Sequence, residues 1–370
     1  MKYVLHYVGI MNRGGMETFL MNIYRKIDRT QFQFHFIVHG DDEGDFDNEI
    51  YQLGGKIIHF PHFRDNPIKY RKVWHHFWQN NSSDYSVFHF HTNSLANIVP
   101  VKMSIRNGFY NIIIHSHSSY ADKGFQFQKL HNCIHFLNQK YINRYNIEKI
   151  AVSNLAGNWL FGKESQFCKI PNGISYDQFN YRPSVRSELR GELNLEKNLI
   201  IGHVGNFFPV KNHAFLLVIF KEFRKKYPES KLLLLGDGPL KSQILSKVKE
   251  LELDDHVVLL GSVSNVAEYL NIFDVFLFPS FYEGLPLATI EAQINLLPLV
   301  VSKKVSEEII ISDRISFLDI SSSNIEAWCE QIESFILSEI RQKDTKVMDT
   351  FNIDNTLNMI ISLYTEIANR

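Results

Sequence analysis

The feature that most constrains the fold is a set of short, almost wholly apolar runs in the second half of the chain. They are LIIGHVG (199–205), KLLLLG (231–236), VVLLG (257–261), VFLFPS (275–280) and PLVVS (298–302). Strands with one wet face alternate apolar and polar residues; near-continuous apolar runs belong to parallel strands covered on both faces. Amphipathic stretches separate the runs, and strands alternating with helices predict a doubly wound α/β arrangement. The first half shows the same alternation in KYVLHYVG (2–9), FQFHFIVHG (32–40), KIIHF (56–60), SVFHFH (86–91), NIIIHSH (111–117) and KIAVSN (149–154). Helical stretches lie between these, for example Glu17 to Lys26 and Pro67 to Trp78.

A chain of 370 residues suits two domains at ~100–200 residues each. The turn-forming Pro-Asn-Gly of KIPNGISYDQFN (169–180), with Pro183 beyond it, marks the join. The expected division is 1–172, 173–354 and a final helix over 355–370. The pattern alone allows that helix to pack on either domain, and it is assigned back to the first. Two such domains side by side predict a cleft, with ligands at the carboxyl ends of the strands.

Charge is unevenly spread. Residues 1–180 carry 19 Lys and Arg against 14 Asp and Glu, the remainder 20 against 26, and 13 of the 16 His lie in the first part. This fits an anionic partner for the first half, or merely uneven surface decoration. Nothing suggests nucleic acid. Cys133, Cys168 and Cys329 are far apart and odd in number, which argues against a disulfide framework and fits a reducing compartment. No apolar run approaches the ~18 residues of a membrane span, and His6 interrupts the faintly signal-like start.

Several strand ends carry chemistry. In GIMNRGGMET (9–18), Gly14-Gly15 allows close approach of the backbone to a ligand at a helix N-terminus, although taken alone a flexible strand–helix turn is the more ordinary explanation. NIIIHSHSSY (111–120) puts His115 and His117 on one face of a strand end, with His91 closing the preceding strand. Imidazoles there can bind a metal, shuttle protons or hydrogen-bond a sugar; with no carboxylate beside them, no metal is expected. The Gly-Asp-Gly-Pro turn of LLLLGDGPL (232–240) leaves room for a flat base. In FPSFYEGLPLATIEAQ (278–293), Glu283 and Gly284 precede a helix that Pro286 is placed to open, with Glu291 about two turns inside. Two carboxylates near a phosphate-binding helix N-terminus are good acceptors for vicinal sugar hydroxyls.

In sequence order, GGMET, IPNGI, the strand followed by PVKN, LLGDGP and EGLPLATIE resemble the motifs of retaining glycosyltransferases of family 4, including Gly-Gly-x-Glu and Glu-x7-Glu. The texture is most similar to bacterial enzymes of exopolysaccharide or capsule assembly. The resemblance implies a GT-B fold: two Rossmann-like domains facing each other across a cleft, the first binding acceptor and the second nucleotide sugar. It implies that Glu283 contacts the donor hexose, with Gly284 and Leu285 beside it, and that Glu291 holds the ribose hydroxyls. Lys211 would neutralise the diphosphate, Gly15 would present backbone to the donor phosphate and acceptor, and Gly238 and Val263 would border the base. His117 or His115 would be the catalytic histidine near the sugar, His117 slightly preferred. Asn172 and Gly173 would form the hinge turn. The family's usual Arg is replaced by Asn206, which can donate a hydrogen bond but carries no charge; His203, His213 and Arg13 are candidates to make up the loss.

The expected activity is metal-independent, retaining transfer of a hexose from a UDP-linked donor to a hydroxyl of a glycan or lipid-linked oligosaccharide. No cofactor is expected. The expected location is cytoplasmic, at the inner face of the membrane. The basic, aromatic stretch PIKYRKVWHHFW (67–78) reads either as a membrane-surface helix or as an ordinary one with Val73, Phe77 and Trp78 in the core. A non-catalytic nucleotide-sugar-binding subunit and a sugar-nucleotide epimerase are the competing readings.

Overall fold

The computed structural model describes residues 1–118, 128–338, 341 and 347–370. It divides into two compact units, residues 1–174 with 351–370, and residues 175–350. The chain therefore crosses between units at Ile174 and Ser175, two residues beyond the Asn172–Gly173 turn.

The first unit holds strands β1 (Lys2–Tyr7), β2 (Phe32–His39), β3 (Lys56–Phe60), β4 (Val87–Thr92), β5 (Ile112–Ser116), β6 (Glu148–Ala151) and β7 (Cys168–Lys169). All pair in parallel, in the order β3-β2-β1-β4-β5-β6-β7. The second holds β8 (Ile200–Val204), β9 (Lys231–Leu235), β10 (Val257–Gly261), β11 (Val275–Phe278), β12 (Leu299–Ser302) and β13 (Ile315–Leu318), also parallel, ordered β10-β9-β8-β11-β12-β13. Both orders run outward in two directions from the unit's first strand, the doubly wound plan. Each has a switch point beside that strand: between β1 and β4, and between β8 and β11. The sequence reading omits β7 and β13. The former has two exposed residues, and the latter is a partly exposed edge strand next to Asp313 and Arg314.

The apolar runs form the cores. Val4, Phe34, Phe36, Tyr24, Ile113 and Ile150 pack in the first unit. Ile201, Leu216, Leu232, Leu234, Val275, Leu277, Val300 and Trp328 pack in the second. The helix Pro67–Asn81 starts at Asn66, whose side chain accepts a 2.8 Å hydrogen bond from the Lys69 amide. Its aromatic residues Tyr70, Trp74, Phe77 and Trp78 are buried, and Val73 is half-buried. Lys69, Arg71 and Lys72 are exposed. The aromatic content is thus spent on the core rather than on a surface face. Among the described residues no helix is long and apolar enough to cross a membrane.

The C-terminal helix, Ile353–Ile367, belongs to the first unit. Ile353, Ile360, Tyr364 and Ile367 enter its core, and the Ile174 amide donates to the Phe351 carbonyl at 2.7 Å. A Cβ on Gly173 would lie 2.7 Å from the Ile353 Cα. Glycine at 173 is therefore a packing requirement of this helix.

Candidate active site

At the carboxyl edge of the second sheet, four successive strand ends are knitted together by backbone. After β8 the Gly205 amide bonds the Leu235 carbonyl at 2.9 Å, and the Phe207 amide bonds the Asp237 carbonyl at 2.9 Å. After β9 the Gly236 amide reaches the Gly261 carbonyl, the end of β10, at 2.8 Å. The Phe281 amide, after β11, bonds the Val210 carbonyl at 2.9 Å. Gly236 and Gly238 have φ +141 and +155, and a Cβ on Gly236 would stand 2.2 Å from the Gly205 oxygen. Only glycine allows the two loops to lie this close.

Lys211 ends a single 3-10 turn, Pro209–Lys211; Asn212 follows at φ +55 and the helix His213–Arg224 begins. The Lys211 Nζ lies 2.7 Å from Glu283 Oε1, at the β8–β11 switch point, and 4.6 Å from the centre of the Phe278 ring. Both side chains are 16% exposed, so the pair is shielded yet reachable. Gly284 and Leu285 are buried, and the helix Leu287–Ile294 follows. Pro286 takes the capping position, so the helix starts one residue later than expected, at Leu287, and Glu291 sits about one turn inside rather than two. The Glu291 residue is half-buried, and desolvation pushes its carboxyl from 4.5 up to about 7. Val263 is half-buried after β10, and Gly238 closes the turn after β9. The structure thus gathers Lys211 and Glu283 at hydrogen-bond distance, and places Asn206, Gly238 and Val263 on the adjoining loops of the same edge.

Asn206 is exposed. His203 and His213 do not restore the missing charge. His203 is fully buried, its Nδ1 2.8 Å from the Leu277 carbonyl, and burial drives its pKa well below 6.5. Burial lowers that of His213 to about 4, helped by the Lys211 charge. Both rings are neutral at pH 7.

In the first unit, Gly14 caps the helix Gly15–Lys26 and Glu17 lies in its first turn. Desolvation raises the Glu17 pKa, and a hydrogen bond from backbone partly offsets this. A Cβ on Gly15 would meet nothing within 4 Å, and its φ is not positive. No contact among the described residues demands glycine there. At the β1–β4 switch point stand five histidines that sequence reasoning only partly foresaw: His6, His89, His91, His115 and His117. In register, His6 faces His89 and His91 faces His115. The His6 Nδ1 is 3.0 Å from His91 Nε2, and the His91 Nδ1 is 2.9 Å from His117 Nε2. His115 is fully buried in β5, whereas His117 lies one residue beyond it and is half-buried. Their rings are 4.0 Å apart, on one face as the alternation requires. Desolvation keeps them neutral, holding His6 and His117 at about 3 and the other three well below 6.5. The signal for the cluster was the repeated His-x-His of FHFHT and IHSHS, to which His6 adds a third strand.

Comparison with known proteins agrees with this architecture. The family described as glycosyl transferases group 1 matches residues 185–348. The putative glycosyltransferase EpsF of Bacillus subtilis (strain 168) is 33% identical over 315 residues, covering 83% of this chain and 81% of EpsF. The capsular polysaccharide biosynthesis glycosyltransferase CapH of Staphylococcus aureus is 26% identical over 372 residues, covering 98% of both. The crystal structure of Anabaena Alr3699/HepE in complex with UDP and glucose superposes with a TM-score of 0.76 at 18% identity, covering 99% of this chain and 100% of that one.

Proposed function

The chain belongs to the group 1 glycosyl transferases and has the GT-B fold expected of it, and from that premise we propose that it moves a hexose from a UDP-linked donor to a hydroxyl of a lipid-linked oligosaccharide, with retention, in bacterial surface polysaccharide synthesis. The observation that carries this reading is the Lys211–Glu283 pair at the β8–β11 switch point, next to a helix N-terminus. A cation and backbone N–H groups suit a diphosphate, and a carboxylate beside them suits sugar hydroxyls.

In this reading Lys211 and the amides at Gly284 and Leu285 hold the diphosphate in place of a divalent ion. Glu283 accepts from hexose hydroxyls and Glu291 from the ribose, while Gly238 and Val263 border the base. The bond between the anomeric carbon and the phosphate oxygen breaks as the acceptor oxygen bonds on the same face, and the acceptor proton passes to the departing phosphate. Positioning and leaving-group stabilisation then supply most of the rate. Of the two histidine candidates, the half-buried His117 suits a sugar contact; His115 is enclosed. Gly15, which no contact among the described residues explains, suits the role of presenting backbone to the donor phosphate or acceptor. A lipid-linked acceptor and peripheral membrane contact fit the helix Gln128–Ile142, which exposes Leu130, Ile134, Phe136 and Leu137.

A second reading, a nucleotide-sugar-binding subunit without turnover, is favoured by Asn206 and the neutral His203 and His213. A donor screen decides. Purified protein with common UDP- and GDP-sugars, with and without EDTA and a polyprenyl-linked acceptor, is followed by thermal shift and nucleoside diphosphate release. EDTA-insensitive release with one UDP-sugar supports transfer; stabilisation without release on any acceptor supports the binding subunit. Absence of stabilisation by every nucleotide sugar overturns both.

A further inference from the structure

The histidine cluster of the first unit contains more ring nitrogens than its hydrogen bonds use. The pairs His6–His91 and His91–His117 form a string of three neutral rings, each joined through one or two nitrogens. Among the described residues His115 stands against this string with neither ring nitrogen partnered, and the His117 Nδ1 is likewise without a partner there. Leaving a buried polar atom unpaired is costly, and His115 alone carries two at zero exposure. A proton relay along the string would leave His115 unexplained.

We propose that His91, His115 and His117 form a trihistidine site for a divalent transition ion of zinc-like chemistry. One nitrogen from each of these rings lies within 4.8 Å of the others, close enough for small rotations to bring all three onto one ion at the ~2.0–2.1 Å of a zinc–imidazole bond. The ligands come from two paired strands and the residue just beyond, so the sheet register fixes two of them. His6 completes the arrangement. When the His91 Nδ1 lone pair turns to the ion, the proton on Nε2 donates to His6 Nδ1, 3.0 Å away; ring N–H donation of this kind orients metal-bound histidine. Phe19 packs edge-on against His115 at 5.4 Å and tilted against His117 at 5.8 Å, giving an apolar wall. The half-buried His117 leaves the fourth position open to water or an anion. Three neutral imidazoles leave a bound ion its full charge, which favours an anionic fourth ligand; among the described residues no carboxylate joins the group. The alternative set His6, His89 and His91 is fully buried, and its His89 Nδ1 is already 2.7 Å from the Tyr364 hydroxyl.

Metal binding is read on protein without donor, so it stands or falls separately from the transferase reading. Protein free of any histidine tag and stripped with chelator is titrated with Co2+ and followed by visible absorption, then back-titrated with Zn2+. The expected result is a single tetrahedral Co2+ per chain, displaced by Zn2+. His117→Gln, a partly exposed and therefore mild change, is expected to weaken binding by at least about 100-fold, beyond the 10–100-fold usual for outer-shell partners. His115→Gln should do the same, with folding of each variant checked by circular dichroism. The exposed pair His75→Ala with His76→Ala should bind as wild type. Absence of a stoichiometric tetrahedral cobalt spectrum overturns the proposal, as does binding that survives His117→Gln but is lost in the His75/His76 variant.

Discussion

Lys211 and Glu283 hold each other at 2.7 Å before any donor arrives, so each sets the position of the other. Lys211→Ala is expected to lower kcat/KM for the preferred nucleotide sugar by about 10²–10³-fold, the range for removing one preorganised electrostatic group. Glu283→Ala added to it should cost much less than Glu283→Ala alone, a coupling that a double-mutant cycle in steady-state kinetics measures. Glu291 has a pH signature of its own. Burial raises its carboxyl to about 7, so the folded protein favours the protonated form. From about pH 4.5 to 7 the unfolded chain ionises first, and this residue subtracts stability as pH rises, the deficit being complete above pH 7. Glu291→Gln should therefore gain thermal stability relative to wild type at pH 8 and not at pH 4. If Glu291 accepts ribose hydroxyls, UDP binding needs the carboxylate. Wild-type affinity should then fall as pH drops from 8 to 6, a trend that Glu291→Gln lacks. Calorimetric titration of both proteins cancels the nucleotide's own titration.

At the scale of elements, the apolar runs were legible because burial on both faces leaves no room for polar residues. The strand ends of β8, β9 and β11 could be located from their Gly, Pro and Ser stops. What escaped were two short edge strands: β7, only two exposed residues long, and the four-residue β13, whose Ile315, Phe317 and Leu318 are half-buried between Asp313-Arg314 and Asp319. The helix Pro67–Asn81 was legible as amphipathic, but whether its aromatic residues meet lipid or core is decided by long-range packing, and Trp74 and Trp78 go to the core. The Lys211–Glu283 pairing spans 72 residues of sequence and only the order of β8 and β11 in the sheet brings it about. From sequence the glycine turn after β9 is a small turn with room for a base; its tighter constraint is the adjacent loop. Gly236→Ala would force a Cβ to 2.2 Å from the Gly205 oxygen at φ +141. It should cost at least about 1–3 kcal/mol in a thermal melt and weaken UDP stabilisation more than Gly191→Ala does, a site where the added carbon finds 3.9 Å of clearance.

For the whole molecule, the informative fact is that the first unit is discontinuous in sequence. Its last helix arrives after the entire second unit has been made, and it fills the first core with Ile353, Ile360, Tyr364 and Ile367. The tie is also polar: Tyr364 reaches His89 at 2.7 Å, Lys2 reaches Asn369 at 2.8 Å, Lys26 reaches Asp354 at 2.7 Å, and Arg370 reaches Glu148 at 2.6 Å. The hydropathy of residues 355–370 showed a helix with one apolar face but could not show which sheet that face covers, because both units offer parallel sheets of similar composition. Gly173 holds the missing clue, since its lack of a side chain matters only when Ile353 lies against it. A chain ending at residue 350 should therefore lose the first unit while the second, whose core uses none of the deleted residues, keeps its fold. The expected outcome is loss of hydrogen-exchange protection in β1, β2 and β4, with β8, β9 and β11 still protected and still further protected by UDP. Loss of protection in both units at once would mean that the second cannot hold its structure without the first.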